Sequence, residues 1–99
     1  MHAPELFAVT VIRFHVNEVF DIAARGGLAA VGATQPGEFV GIPRLYDETT
    51  GHHIRILGVD HPTPRTRRTG ETILMIDRAD ADYVKVGRRW TTVAPPGAS

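Results

Sequence analysis

The sequence predicts an all-β domain, a sandwich or a barrel, on three observations. Apolar residues alternate with polar ones along several short runs, which is strand periodicity rather than helix periodicity. Turn-forming glycines and prolines separate those runs at the intervals usual for all-β folds. The one stretch whose composition suggests a helix, DIAARGGLAAVGA (Asp21 to Ala33), carries two adjacent glycines in its middle. Each costs about 1 kcal/mol relative to alanine, and no capping residue offsets that.

The elements follow in order. From Leu6 to Val16 the apolar positions run Phe7, Val9, Val11 and then shift phase to Ile12, Phe14, Val16, the mark of a strand with a bulge. Phe20 and Ile22 point the same way on either side of Asp21. A hairpin is predicted at Arg25-Gly26, where glycine accepts positive φ. GGLAAVG has neither Walker Lys-Ser/Thr nor GxGxxG spacing, so a phosphate loop is excluded there. Leu28 to Thr34 is the second strand. Gln35-Pro36-Gly37-Glu38 suits a type II turn. Phe39 to Tyr46 is the third strand, and Asp47 to Gly51 turns the chain into HHIRILGVD. HPTPRTRRTG (His61 to Gly70) is expected to be the longest loop, because its prolines and arginines oppose regular pairing. ETILMID (Glu71 to Asp77) is the most hydrophobic strand, and RRWTTV (Arg88 to Val93) the last.

The chain's 99 residues fit one domain, spanning 1–93, with APPGAS (94–99) expected as a disordered tail. Eleven Lys+Arg balance eleven Asp+Glu, so no global field draws the chain to nucleic acid or an acidic membrane. Cysteine is absent, which excludes disulfides, thiolate metal sites and cysteine nucleophiles. The apolar stretch FAVTVI is shorter than a signal-peptide core and far short of a spanning helix. A soluble cytoplasmic protein is expected.

Several motifs together carry a resemblance. VFDIAARGG (Val19 to Gly27) resembles the VFxIxGRG signature that opens the second domain of elongation factor Tu and related translational GTPases. PGEFVG resembles that domain's RGxxxVG turn, LGVD its TGVE, and GETILMIDRADADYVKVGRRW its GDNVGVLLRGxxxxxVxRGxVL, in the same order. The resemblance covers Phe7 to Val93. It implies a small closed, or nearly closed, antiparallel β-barrel of about six strands. Departures are Ala24 for glycine, Ala30-Val31 for threonine-glycine and Arg78-Ala79 for arginine-glycine. No P-loop, DxxG or NKxD element is present, so what is resembled is an accessory domain without its GTPase half.

In the tRNA-binding members this barrel helps hold the aminoacylated 3′ adenosine. By that resemblance the ligand-binding residues here are Glu18, Phe20, Ile22, Leu28 and Asp60, while Asn17, Ala30 and Thr72 depart from the family's acid, threonine and asparagine. An aromatic ring and two aliphatics offer a stacking surface, and the carboxylates accept ribose hydroxyls. Adenosine alone would find one wall and bind weakly. The alternative reading makes Phe20, Ile22 and Leu28 core and Glu18 and Asp60 solvated strand ends.

Arg65, Arg67 and Arg68 form a second candidate, able to fork onto phosphates or a partner's carboxylates, or else to stay solvated. No metal site is expected, since His52 and His53 face opposite sides of a strand and zinc needs three or four converging ligands. Catalysis lacks a nucleophile: Thr49 and Thr50 beside His52 have no orienting acid beyond Glu48. Asp77, Asp80 and Asp82 lack the glycine and glutamate of a calcium loop. The expected function is a non-catalytic binding module without cofactor, whose partner is a protein or RNA, a separate GTPase included, with no DNA and no membrane. A small hydrolase-like or metal-binding enzyme subunit using His53, His61 and Asp60 is the alternative from another class. A structural homodimer is the third.

Overall fold

In the computed structural model, which describes residues 11–94, the opening hairpin organises everything else. β1 (Arg13–Ile22) and β2 (Gly27–Gln35) pair antiparallel along their whole length. One 3₁₀ turn, Ala23–Arg25, joins them, and Gly26 at φ 72° donates its N–H to the Ala23 carbonyl (3.0 Å). The turn is where the two glycines predict it. The bulge, however, lies at Asn17: pairing steps from Val16↔Gly32 to Glu18↔Val31. The expected phase shift at Val11/Ile12 precedes the strand, and Phe7 and Val9 lie outside the described residues. Gly32 is required here, because a Cβ would stand 2.0 Å from the His15 carbonyl oxygen and 2.8 Å from Phe14 Cζ.

Five shorter strands complete the sheet: β3 (Leu45–Asp47), β4 (His53–Ile54), β5 (Ile56–Val59), β6 (Thr72–Asp77) and β7 (Arg89–Thr91). Every pairing is antiparallel, in the order β4-β3-β7-β1-β2-β6-β5. Seven strands stand where about six were expected, because Arg55 splits His53–Val59 in two. Its N–H donates to Asp80 Oδ2 (2.7 Å) and its carbonyl accepts from the Asp77 N–H (3.0 Å). At Arg55 the chain leaves its β3 partner for its β6 partner. The two edges of the sheet are thus one residue apart in sequence, although the ladder itself is open.

The sheet is strongly curled. Laid flat, β4 and β6 would stand five strand spacings apart, roughly 24 Å. Instead Ile54 of β4 and Leu74 and Ile76 of β6 share one buried cluster with Phe14, Val16, Leu45 and Trp90, all at 0% exposure. Trp90 stacks on Phe14, with centroids 5.5 Å apart and planes at 18°.

Two predicted segments are corrected. The third strand is Leu45–Asp47 and keeps only Leu45 and Tyr46 of the expected Phe39 to Tyr46, because Gly41 takes φ 72° and Pro43 has no N–H to pair; Val40 and Ile42 lie exposed. His61 to Gly70 is not a structureless loop but contains a helix, α1 (Pro64–Thr69). Thr63 caps it reciprocally with Thr66, Pro64 occupies its first turn, and Gly70 at φ 76° closes it. The Gln35–Pro36 peptide is cis, and Gly37 has the positive φ predicted for its turn. The last strand shortens to Arg89–Thr91. Of the expected tail, residues 95–99 lie outside the described residues. Among the described residues no helix is long and apolar enough to cross a membrane.

Candidate functional site

The bulge at Asn17 sets up the site. Each residue of a strand faces opposite to the next, so one inserted residue exchanges the faces beyond it. Before Asn17 the inward residues are Phe14 and Val16; after it Val19 packs inward and Glu18, Phe20 and Ile22 turn outward. There they meet an apolar strip formed by Ala29 and Val31 of β2 and Ile73 and Met75 of β6, a second cluster separate from the main core. β2 and β6 are therefore apolar on both faces.

Helix α1 stands beside this strip and makes it a groove of about 280 Å³. Phe20, Ile22, Ala29, Val31 and Ile73 form the floor; Glu18, Asp60, Thr63, Arg65 and Thr66 form the rim. Thr66, the buried residue of α1, packs against the sheet (4% exposed) and carries the cap that starts the helix. Phe20 keeps about half its surface in solvent (49%). The volume is at the small end for ligand sites, enough for one ring or side chain.

Glu18 and Arg65 pair on the rim. Arg65 Nη2 donates to Glu18 Oε1 at 2.6 Å, and that bond raises the already high Arg65 pKa. Asp60, at the end of β5, accepts from the His61 N–H (2.9 Å) and donates its own N–H to the Ile73 carbonyl (2.9 Å). Just outside, Glu71 accepts from Asn17 Nδ2 (2.9 Å) and Thr69 Oγ1 (2.9 Å). The Asn17 amide first, and then the Thr69 hydroxyl, hold the Glu71 carboxyl below its usual range.

Four of the five residues assigned by resemblance, Glu18, Phe20, Ile22 and Asp60, come together at this groove. Leu28 does not: it faces the main core at 7% exposure, because it is paired with Asp21 while its neighbour Ala29 pairs with Phe20 on the outer side. The core reading holds for Leu28, and Phe20 and Ile22 lie on the outer face. Of the arginine group, Arg65 joins the groove, whereas Arg67 and Arg68 are exposed in the last turn of α1 and do not line it.

The histidines go elsewhere. His52 Nε2 lies 2.8 Å from Asp80 Oδ1 and its ring stacks on Tyr83 (3.9 Å, 7°), while His53 packs on Tyr46 (5.3 Å) and His61 is exposed. No group of three or more metal-ligating side chains exists among the described residues. Thr50 donates its hydroxyl to Asp47 (2.9 Å) and is occupied in the turn. Within the acidic trio, Asp77 accepts from the Ala79 N–H and Asp80 from Arg55 and His52, both structural tasks.

Sequence reading missed Ala29, Val31 and Ile73 in the floor and Thr63 and Thr66 in the rim. A signal was present, since unbroken apolar runs such as LAAV and ILMI indicate strands covered on both faces. The fold and site together define an all-β chain with a curled antiparallel sheet and an outer-face groove. No family model, no curated protein and no solved structure matches the chain.

Proposed function

We propose that this chain is a non-catalytic binding module on a barrel of the translation-factor second-domain type, closing through Arg55, and that the outer-face groove is where it holds its partner. The observation that carries the reading is the convergence of Glu18, Phe20, Ile22 and Asp60 on one groove. Those residues were assigned through a motif resemblance, and they come from two strands separated by 38 residues or more, counted from Ile22 to Asp60. The partner is a protein or an RNA, and it presents one flat or apolar group: an adenine-like ring or a single side chain. Phe20 stacks on that group, Ile22, Val31 and Ile73 surround it, and the Glu18 and Asp60 carboxylates accept hydrogen bonds from its polar edge.

The test is capture from a native lysate on the wild-type chain, with and without ribonuclease, against a Phe20→Asp variant. Phe20 is half exposed, so the variant is expected to fold. A partner held by wild type and lost by the variant supports the groove, and ribonuclease sensitivity assigns it to RNA. Undiminished capture by Phe20→Asp places the interaction elsewhere.

A further inference from the structure

Ahead of the bulge, the outer face of β1 has a different chemistry. Arg13 and His15 point outward there, and β7 and β2 flank them. Across the β1–β7 ladder His15 stands opposite Arg89 and Arg13 opposite Thr91; across β1–β2 His15 stands opposite Ala33 and Arg13 opposite Gln35. Directly opposed residues have Cβ atoms about 4.5–5.5 Å apart. Two guanidiniums, an imidazole and a carboxamide are therefore set over one short strip of backbone. They line a cleft of about 320 Å³, its depth left open by the small Ala33 side chain.

The charge in this cleft is only partly neutralised. Arg65 is taken by Glu18, Arg78 by Asp21, Arg55 by Asp77 and Arg88 by Asp47. Arg89 and His15 make no side-chain hydrogen bond or ion pair among the described residues. Arg13 Nε is ion-paired with Glu48 Oε2 at 3.2 Å, which offsets its charge, while its Nη groups make no hydrogen bond among the described residues and keep their donors. Clustered like charges on adjacent strands cost stability unless an anion joins them.

We propose that the cleft of Arg13, His15, Gln35 and Arg89 is a binding site for a phosphoryl group. Each guanidinium offers several N–H donors in a planar fork, and Gln35 and His15 add donors from other directions. Donors that converge from β1, β2 and β7 rather than in one plane suit the tetrahedral oxygens of a phosphate better than a flat carboxylate. The phosphoryl group has two sources. One is a free phosphate or monoester. The other is the backbone of a single-stranded RNA lying along β1, because the cleft and the groove share that strand's outer face roughly 13 Å apart, four ladder steps from His15 to Phe20 at ~3.3 Å each.

The experiment follows the amide spectrum of the ¹⁵N-labelled chain. One arm adds inorganic phosphate, with sodium chloride holding ionic strength constant; the other adds a short single-stranded RNA without terminal phosphate. Saturable shifts at Arg13, His15, Gln35 and Arg89 are expected. Phosphate alone sufficing assigns a free phosphate or monoester, and saturation by RNA only assigns the backbone. Arg89→Gln is expected to weaken binding about tenfold or more. Gln35→Glu, which sets a carboxylate in the cleft at an exposed strand end, abolishes it, and Arg68→Gln, which removes one positive charge from an exposed position of α1, leaves it unchanged. That last comparison separates this site from a general effect of net charge. Absence of saturation in both arms up to tens of millimolar, or equal binding by wild type and both cleft variants, overturns the proposal.

Discussion

The two halves of β1 are chemically inverse. From Arg13 to Val16 the outer residues are cationic or polar and the inner ones, Phe14 and Val16, are sealed at 0% exposure. From Glu18 to Ile22, Phe20 and Ile22 make the outer side apolar over Ala29, Val31 and Ile73, with Glu18 at its margin. One residue, Asn17, separates them, and by exchanging the faces it lets a single strand carry a charged cleft and a hydrophobic groove on the same side. Recognition chemistry on a curled sheet is therefore set as much by register as by composition. The inner face of the same strand stays apolar from Phe14 to Val19 and ends in Asp21, whose carboxylate pairs with Arg78 at the surface.

Deleting Asn17 breaks the comparison outright. Without the inserted residue, every side chain from Glu18 to Ile22 changes face, sending Glu18 and Phe20 towards the core and Val19 towards the groove. The expected outcome is loss of cooperative thermal unfolding and of dispersed amide resonances. A deletion variant with a sharp transition and wild-type dispersion would show that the bulge can move along β1.

Next in size is the contrast between the two phenylalanines. Phe14→Ala removes a fully buried ring stacked on Trp90 and is expected to cost about 3–5 kcal/mol in urea unfolding. Phe20→Ala, on the outer face, is expected to cost less than about 1 kcal/mol and to abolish partner capture instead. Equal losses of stability would mean the groove is a second structural core. Gly32→Ala ranks after them: its Cβ would meet the His15 carbonyl at 2.0 Å, and the forced shift is expected to cost about 1–3 kcal/mol. Because Gly32 pairs with Val16, the damage should appear first in the amides of His15 to Glu18.

Residues with strong local preferences were the legible ones. The double glycine at Gly26-Gly27 locates the hairpin and alternation locates β1 and β6, and four of the residues the motif resemblance names, Glu18, Phe20, Ile22 and Asp60, lie together at the groove. What failed depended on partners distant in sequence. Arg55 splits a strand because Asp80, 25 residues on, takes its N–H. Leu28 faces the core because of its pairing with Asp21 across the hairpin, which its own neighbours do not reveal. Helix α1 is different: Thr63, Pro64 and Gly70 spell its cap, first turn and stop, while the prolines and arginines of the segment favour a loop by composition. The charged cleft was not legible at all, since Arg13, His15, Gln35 and Arg89 come from three strands joined by register.

The smallest predicted effect sharpens the comparison at its pivot. Glu71 accepts from the Asn17 amide and so ties the bulge to the end of α1 through Thr69. Its carboxyl is held below the usual range in the folded chain, so its contribution is fully present above the unfolded value of about 4.3 and is lost as pH falls through the lowered folded value. The site is largely open to solvent, which limits the contribution to below about 1 kcal/mol. Glu71→Gln is thus expected to be slightly less stable than wild type at neutral pH, with the gap closing in acid. Asp21 complicates the bulk measurement, because Arg78's hydrogen bonds depress its carboxyl as well. The Asn17 side-chain amide resonances distinguish the two: they should follow Glu71 protonation, vanish as a titration in Glu71→Gln, and persist in Asp21→Asn. A gap that stays constant from neutral pH into acid would show that the Asn17 contact does not depend on the charge of Glu71, and that the bulge is fixed by backbone register alone.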